Sequence, residues 1–474
     1  MERVNAWNTY NPGMLKSCMD LADDYKNFLD HGKTERECVD RFVNEAEENG
    51  YIELSEAIRQ GKKLSAGDRV YSVWMNKSMV LFEIGSDPIE SGINILGAHI
   101  DSPRLDVKQN PMYEDNEIAF LDTHYYGGIK KYQYVTIPLA IHGVIVKKNG
   151  ETVILRVGED EDDPVFFISD LLVHLSQDQL KKPASTVVEG EALDLIIGSR
   201  PLTFGAETEN GKEESGKDAV KKAVLGIISE NYGICEEDFE SAELEIVPAG
   251  KSRDAGFDRS MVLGYGQDDR ACAYPSFRAQ IETHDLKRTS CTLLVDKEEI
   301  GSVGATGMRS RFFENALAEV MNLCGEYSEL SMRRALANSC MLSSDVSAAY
   351  DPAYGAAFEK KNTSFLGKGM TFAKYTGSRG KSGSNDANAE YIAHLRGILE
   401  KANVCTQTAE LGKVDMGGGG TIAYILALYG MNVIDCGVPV LSMHSPWEAV
   451  SKADIYETYR GYKAFLRDAS FTNF

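Results

Sequence analysis

Two glutamates, Glu298 and Glu299, stand side by side in LLVDKEEIGSVGATG (293–307), where an apolar run gives way to a glycine-rich stretch. Desolvating one carboxylate is costly, and a second beside it adds repulsion. A pair in that place either faces water or receives something positive. Four other segments end in the same way, with His, Asp or Glu just after an apolar run. LGAHIDS supplies His99 and Asp101, GYGQDDR supplies Asp268 and Asp269, CMLSSDV supplies Asp345, and PVLSMHSPWE supplies His444. Mixed imidazole and carboxylate donors suit zinc, manganese or cobalt better than calcium or a thiolate-bound metal.

Taken singly, each group has an ordinary explanation: a satisfied histidine, surface carboxylates in an acidic chain, or, for SSD, a helix N-cap. Five such ends, with no comparable run of Lys or Arg to neutralise them, are explained most simply by a cation. Two spacings sharpen this. In HID the histidine and aspartate are one residue apart, so in an extended segment both lie on one side, and Asp101 is placed to fix the tautomer and orientation of His99. In an extended EE the two carboxylates must diverge, so that one holds metal while the other takes a proton from water.

Such groups need strands to carry them, because open α/β sheets collect their chemistry at strand carboxyl ends. The first sixty residues read as helices: MLKSCMDLADDYKNFLDHG and TERECVDRFVNEAEENGY both repeat apolar residues at helical spacing. RVYSVWMN, SMVLFEIG and INILGAHID read as strands, the last nearly all apolar, as in the middle of a buried sheet. From about Lys108 to Lys251 the chain turns β-rich. YVTIPLAIHGVIVKKNGETVILRVG predicts a hairpin turning at Lys-Asn-Gly-Glu, and ETENGKEESGKDAVKKAV (207–224) predicts a polar loop running into a helix. After Gly256 strand and helix alternate again, which implies an α/β sheet with helices on both faces. The expected organisation is one α/β domain in two parts, 1–107 and 254–474, interrupted by a β-rich insertion at 108–253.

Composition narrows the class. The chain has 474 residues, a formal charge of -22, 43% hydrophobic and 26% charged residues. That is enough length for two or three cores, and the charge argues against nucleic acid or an anionic membrane as the main partner. No run approaches 18 apolar residues, and the opening residues do not follow a basic segment with an apolar one. Nine scattered cysteines without a CxxC pair match neither a disulfide framework nor a zinc ribbon. The expectation is a cytoplasmic protein.

HIDSPRLDVK, DKEEIGS, SSDVSAAYDPAY and SMHSPWEA, in that order, closely resemble the M18 family of metallopeptidases, the aspartyl aminopeptidase and aminopeptidase I group. YGG (126–128), ISDLLVHL (168–175) and GGGGTIAYILALYGMNVIDCGVPVLSMHS extend the resemblance over nearly the whole chain. It implies a di-zinc peptidase domain with a central mixed sheet and flanking helices, interrupted by a dimerisation domain, and assembly of dimers into tetrahedral homododecamers. It implies that Asp268 bridges two zinc ions (or manganese or cobalt). His99 and Asp345 would complete one site, Glu299 and His444 the other. Asp101 would orient His99, and Glu298 would be the general base on a bridging water, releasing single N-terminal residues from peptide substrates. His174 would reach a neighbouring subunit's active site, and Lys374 in MTFAKYTG would favour an acidic first side chain. Departures from the family pattern after YGG, at DDR and in AAYDPAYG leave acidic versus neutral preference open. The rival readings are a di-metal deacylase or carboxypeptidase on the same core, and a non-enzymatic assembly protein with a vestigial site.

Overall fold

The computed structural model of the protein describes residues 3–201, 217–378 and 385–473. The polar half of the expected loop, 207–216, lies outside the described residues; the helix expected after it runs Ala219–Tyr232. The chain divides into two compact units, one of residues 1–102, 252–443 and 447–474, the other of residues 103–251 and 444–446.

In the first unit, apolar strands build a nine-stranded mixed sheet. Across it run 52–53, 69–74, 78–83, 290–295, 94–99, 340–344, 432–437, 370–373 and 406–408. Side-chain alternation sorts neighbouring residues to opposite faces. Val80, Phe82, Leu293 and Val295 pack on one face with Phe312 and Leu317 of the helix Phe312–Cys324. Met79, Leu81 and Leu294 pack on the other with Phe28 and Phe42 of the helices Pro12–His31 and Glu35–Glu48. The second helix starts where the sequence signals it, at a capping box between Thr34 and Glu37. Helices cover both faces, as the alternation predicted.

Register is what matters for chemistry. Strands Ser290–Val295 and Asn94–His99 are parallel, with Val295 opposite His99, and Asn94–Gly97 pairs in parallel with Cys340–Ser343. Three adjacent strands therefore end level with one another, and their carboxyl ends carry Glu298 and Glu299, His99 and Asp101, and Asp345. The other two expected ends differ. The strands Met261–Gly264, before Asp268, and Pro439–Leu441, before His444, belong to a separate five-stranded sheet with 253–255, 448–451 and 347–348. Both are short apolar runs, which a sequence cannot assign to one sheet or the other.

The second unit is a six-stranded sheet of 152–157, 139–146, 242–248, 104–115, 118–126 and 195–198. The expected hairpin is present: Leu139–Val146 pairs antiparallel with Thr152–Val157. Its core gathers Leu105, Leu121, Leu139, Ile141, Leu195, Leu244 and Ile246. One segment of this unit stays apolar and uncovered within the chain: Leu172, Val173, Leu175 and Leu180 are 53%, 69%, 67% and 69% exposed.

Phe42 is 1% exposed and packs between Phe28 and Phe277, with ring centroids 4.8 and 4.5 Å away. Phe42→Ala should lower the stability of the first unit by about 3–5 kcal/mol through lost burial and an unfilled cavity. Leu428→Ala, at a residue 81% exposed, should change it by no more than about 0.5 kcal/mol. Denaturant unfolding of both variants checks the contrast.

Candidate metal centre

His99 closes its strand with the imidazole fully buried. Its Nδ1 is engaged by Asp101, lying 3.0 Å from the main-chain carbonyl oxygen and 3.3 Å from Oδ1. That leaves Nε2 as the nitrogen able to offer a lone pair. Nε2 makes no hydrogen bond among the described residues, although it is buried; it points at Asp268 Oδ1, 3.3 Å away, and Asp345 Oδ1, 4.0 Å away.

Asp101 also has a second task. The backbone N–H of Glu298 donates to its Oδ1 and that of Glu299 to its Oδ2, both at 3.1 Å. The two glutamates do not diverge as an extended segment would require. They occupy a single 3-10 turn, Glu298–Ile300, entered through Lys297 at φ 68 and left through Gly301 at φ 94. Successive residues in such a turn are about 120° apart rather than opposed. Both carboxylates consequently face His99, and one ligand atom from each of the three residues falls within 4.8 Å of the others. His99, Asp268 and Asp345 form a second group meeting the same limit.

Asp268 and Asp269 open the helix Gln267–Glu282 but are not helical, with ψ of 105 and 22, and the peptide between them is cis. Asp268 is held from both sides: its N–H donates to Glu448 Oε2 at 3.1 Å, and its carbonyl accepts from Ser102 Oγ at 2.8 Å. Asp268, not Asp269, offers its carboxylate to the cluster. Asp269 lies behind, its Oδ2 accepting from the His99 N–H at 3.4 Å. No helix follows Ser344–Asp345, so the N-cap reading of SSD fails; the chain continues as the strand Ser347–Ala348.

The electrostatics are those of carboxylates crowded together in a buried place. Burial raises the Asp345 carboxyl well above the usual range, and the neighbouring Asp269 charge raises it further. Burial does the same to Asp269. Burial alone would depress the His99 imidazole, but the carboxylates of Asp101 and Asp268 beside it carry it well above its ordinary value. Without a cation the cluster retains protons; a bound cation would displace them. The donor set, an imidazole nitrogen with several carboxylates, and the buried unbonded Nε2 both fit a divalent transition metal.

His444 falls in the second unit, where its Nδ1 donates to the Gly128 carbonyl at 2.9 Å, again leaving Nε2 as the nitrogen with the lone pair. His174, also in that unit, is exposed in a turn spanning 173–178 rather than on a helix. Lys374 is exposed just past the strand Met370–Ala373, which runs antiparallel to Asn432–Gly437 with Ala373 opposite Asp435. The sequence reading missed Ser102, Glu448 and Arg270 as supports of the cluster. Only Arg270 left a signal, an arginine directly after a carboxylate pair.

A family model described as aminopeptidase I zinc metalloprotease (M18) matches residues 28–466. The chain belongs to the M18 family. A curated relative from Clostridium acetobutylicum, "Probable M18 family aminopeptidase 1", is 61% identical over 467 residues, covering 98% of each chain. The crystal structure of aminopeptidase I from the same organism has a TM-score of 0.88 at 59% identity, covering 99% of this chain and 100% of that one. The M18 aminopeptidase of Thermotoga maritima has a TM-score of 0.92 at 42% identity, with the same coverage. The chain is therefore an M18 metal-dependent aminopeptidase, a hydrolase of the zinc metalloprotease class. Nothing in these relatives favours the deacylase or carboxypeptidase alternative.

In an M18 enzyme built this way, Asp101→Asn would set an amide N–H₂ against one of the two backbone N–H groups and loosen both glutamates and His99. Zinc affinity, read by chelator competition, should fall about 10–100-fold, while the far-UV circular dichroism of the variant stays that of the wild type.

Proposed function

We propose that the cluster holds two zinc ions per subunit and removes single residues from peptide N-termini. The observation that carries this is the arrangement of three strand ends and Asp268 about His99, which gives two overlapping groups of ligand atoms. Asp268 would be shared. His99 and Asp345 would serve one ion; Glu299 and His444 would serve the other, His444 through Nε2, since Nδ1 is the nitrogen bonded to the Gly128 carbonyl. Manganese or cobalt would suit the same donors.

Two such cations would polarise the scissile carbonyl and lower the pKa of a nearby water. The chain's own residues do the rest. Glu298, its main chain fixed by Asp101, accepts the water's proton on its carboxylate and delivers it to the departing amine nitrogen. The acidic surroundings hold the substrate's free α-amine. An exposed lysine, Lys374, is the group assigned to select an acidic first side chain; without its contact the preference is neutral.

We further read the inserted unit, 108–253 in the expected division, as a dimerisation domain and the assembly as a homo-oligomer, a dodecamer by the family resemblance. The exposed apolar residues around His174 support this, since an isolated subunit would leave them in water. His174 would then stabilise the negative charge developing on the carbonyl oxygen in an adjoining copy. All nine cysteines are free thiols, which fits a cytoplasmic setting, and no helix among the described residues is long and apolar enough to cross a membrane.

Two outcomes check these readings. On a panel of Asp, Glu, Leu, Met, Ala and Lys aminoacyl substrates, zinc-loaded wild type should turn over at least one class. Glu298→Gln should lose about 10²–10⁴-fold in kcat on that class while keeping its zinc; retained turnover removes Glu298 from the base role. Mixing His174→Gln with Glu298→Gln subunits after dissociation and reassembly should restore activity. A mixture as inactive as either variant rules out a histidine acting between subunits.

A further inference from the structure

Arg270 is among the largest fully buried side chains, 1% exposed. Its Nε and Nη2 donate to the Ile100 carbonyl, at 3.3 and 3.1 Å, and Nη2 also donates to the Lys33 carbonyl at 3.0 Å. The guanidinium lies 5.5 Å from the centroid of the Tyr265 ring. Ile100 is the residue between His99 and Asp101, and Arg270 is two residues past Asp268. One side chain therefore fastens the peptide that joins the imidazole to its orienting carboxylate onto the segment that carries Asp268. Ser102 Oγ makes a second tie between the same two segments, through the Asp268 carbonyl.

We propose that Arg270 is a positioning residue of the metal centre, setting the distance between His99 and Asp268 by clamping the Ile100 carbonyl. The chemistry favours arginine specifically. Two carbonyl groups on different segments, Ile100 and Lys33, must be met at once by donors in a fixed plane, and a single ammonium on a flexible stem cannot hold both in that geometry. The charge fits as well. Asp269, the residue before Arg270, and Asp101, the residue after the Ile100 that Arg270 holds, are both 0% exposed, and a buried cation in that place offsets part of the carboxylate repulsion whether or not metal is present. A shift of the Ile100 carbonyl would turn the peptide on both sides of it. His99 Nε2 and the Asp101 carboxylate would move together, and the two glutamates whose N–H groups Asp101 holds would follow. Arg270 touches no reacting atom in this scheme; it acts through His99 and Asp101. The inference rests on the reading of the cluster as a zinc site.

The test compares Arg270→Lys and Arg270→Met with wild type, using Arg278→Lys, a substitution on the same helix at a residue bonded to Glu282, as control. Zinc affinity is read by chelator competition, and ligand geometry by the visible spectrum of the cobalt-loaded protein. Arg270→Lys should bind zinc about 10-fold more weakly and Arg270→Met about 100-fold, both with an altered cobalt spectrum, and kcat should fall while KM changes little. The control should match wild type on every readout. Variants that lose melting temperature but keep wild-type zinc affinity and cobalt spectrum would make Arg270 a packing residue and overturn the proposal. If Arg270→Met does not fold, Arg270→Lys alone decides; if neither folds, the structural role stands and the positioning role is overturned. Failure of wild type itself to bind zinc would instead sink the metal-site reading on which the inference rests.

Discussion

The Asp101 carboxylate is the interaction on which the rest of the centre depends. It is fully buried, lies 3.3 Å from His99 Nδ1, and accepts one backbone N–H from each of Glu298 and Glu299. One anion thereby sets the imidazole's tautomer and fixes the main chain of both glutamates. It can do so only because the two strands it connects end level with each other, Val295 opposite His99. A one-residue slip in that pairing would reverse every side chain on the strand and carry the turn at 298–300 out of reach. The apolar faces of the sheet, packed by helices on both sides, make such a slip costly. Stability of the sheet and accuracy of the centre are one constraint.

The same closeness concentrates negative charge. Asp101, Asp268, Asp269, Asp345, Glu298 and Glu299 crowd around one imidazole, and the protein answers with raised proton affinities on Asp269, Asp345 and His99. A structure that only needed to be stable would replace such a group with apolar residues. Keeping it makes sense where divalent cations supply the missing charge. Buried donors around it limit how far the cluster can relax: Ser102 and Glu448 fix Asp268, and Arg270 fixes Ile100. The groups proposed as ligands are in this way held by the protein's own hydrogen bonds, which is the preorganisation a polarising site would require.

Much of this was legible in the sequence. Apolar runs ending in His, Asp or Glu pointed to strand ends, the HID spacing placed Asp101 on the His99 side, and helical periodicity placed helices on both faces of the sheet. Two local readings failed for identifiable reasons. The divergence expected of Glu298 and Glu299 assumed extended backbone, whereas Lys297 and Gly301 at positive φ wind the pair into a turn. The N-cap reading of SSD assumed a helix after Asp345, whereas the chain continues as the strand Ser347–Ala348.

What the sequence by itself determined were the kinds of donor, their order along the chain and the periodicity of the elements around them, because these follow from residue chemistry and from the repeat of strand and helix. Only the tertiary structure decided that Glu298 and Glu299 turn together rather than diverge, and that Arg270 and Ser102 support the centre. Those outcomes turn on strand register and on backbone angles at a few residues. Both are fixed by contacts between segments that are hundreds of residues apart, and no local pattern of residue types encodes them.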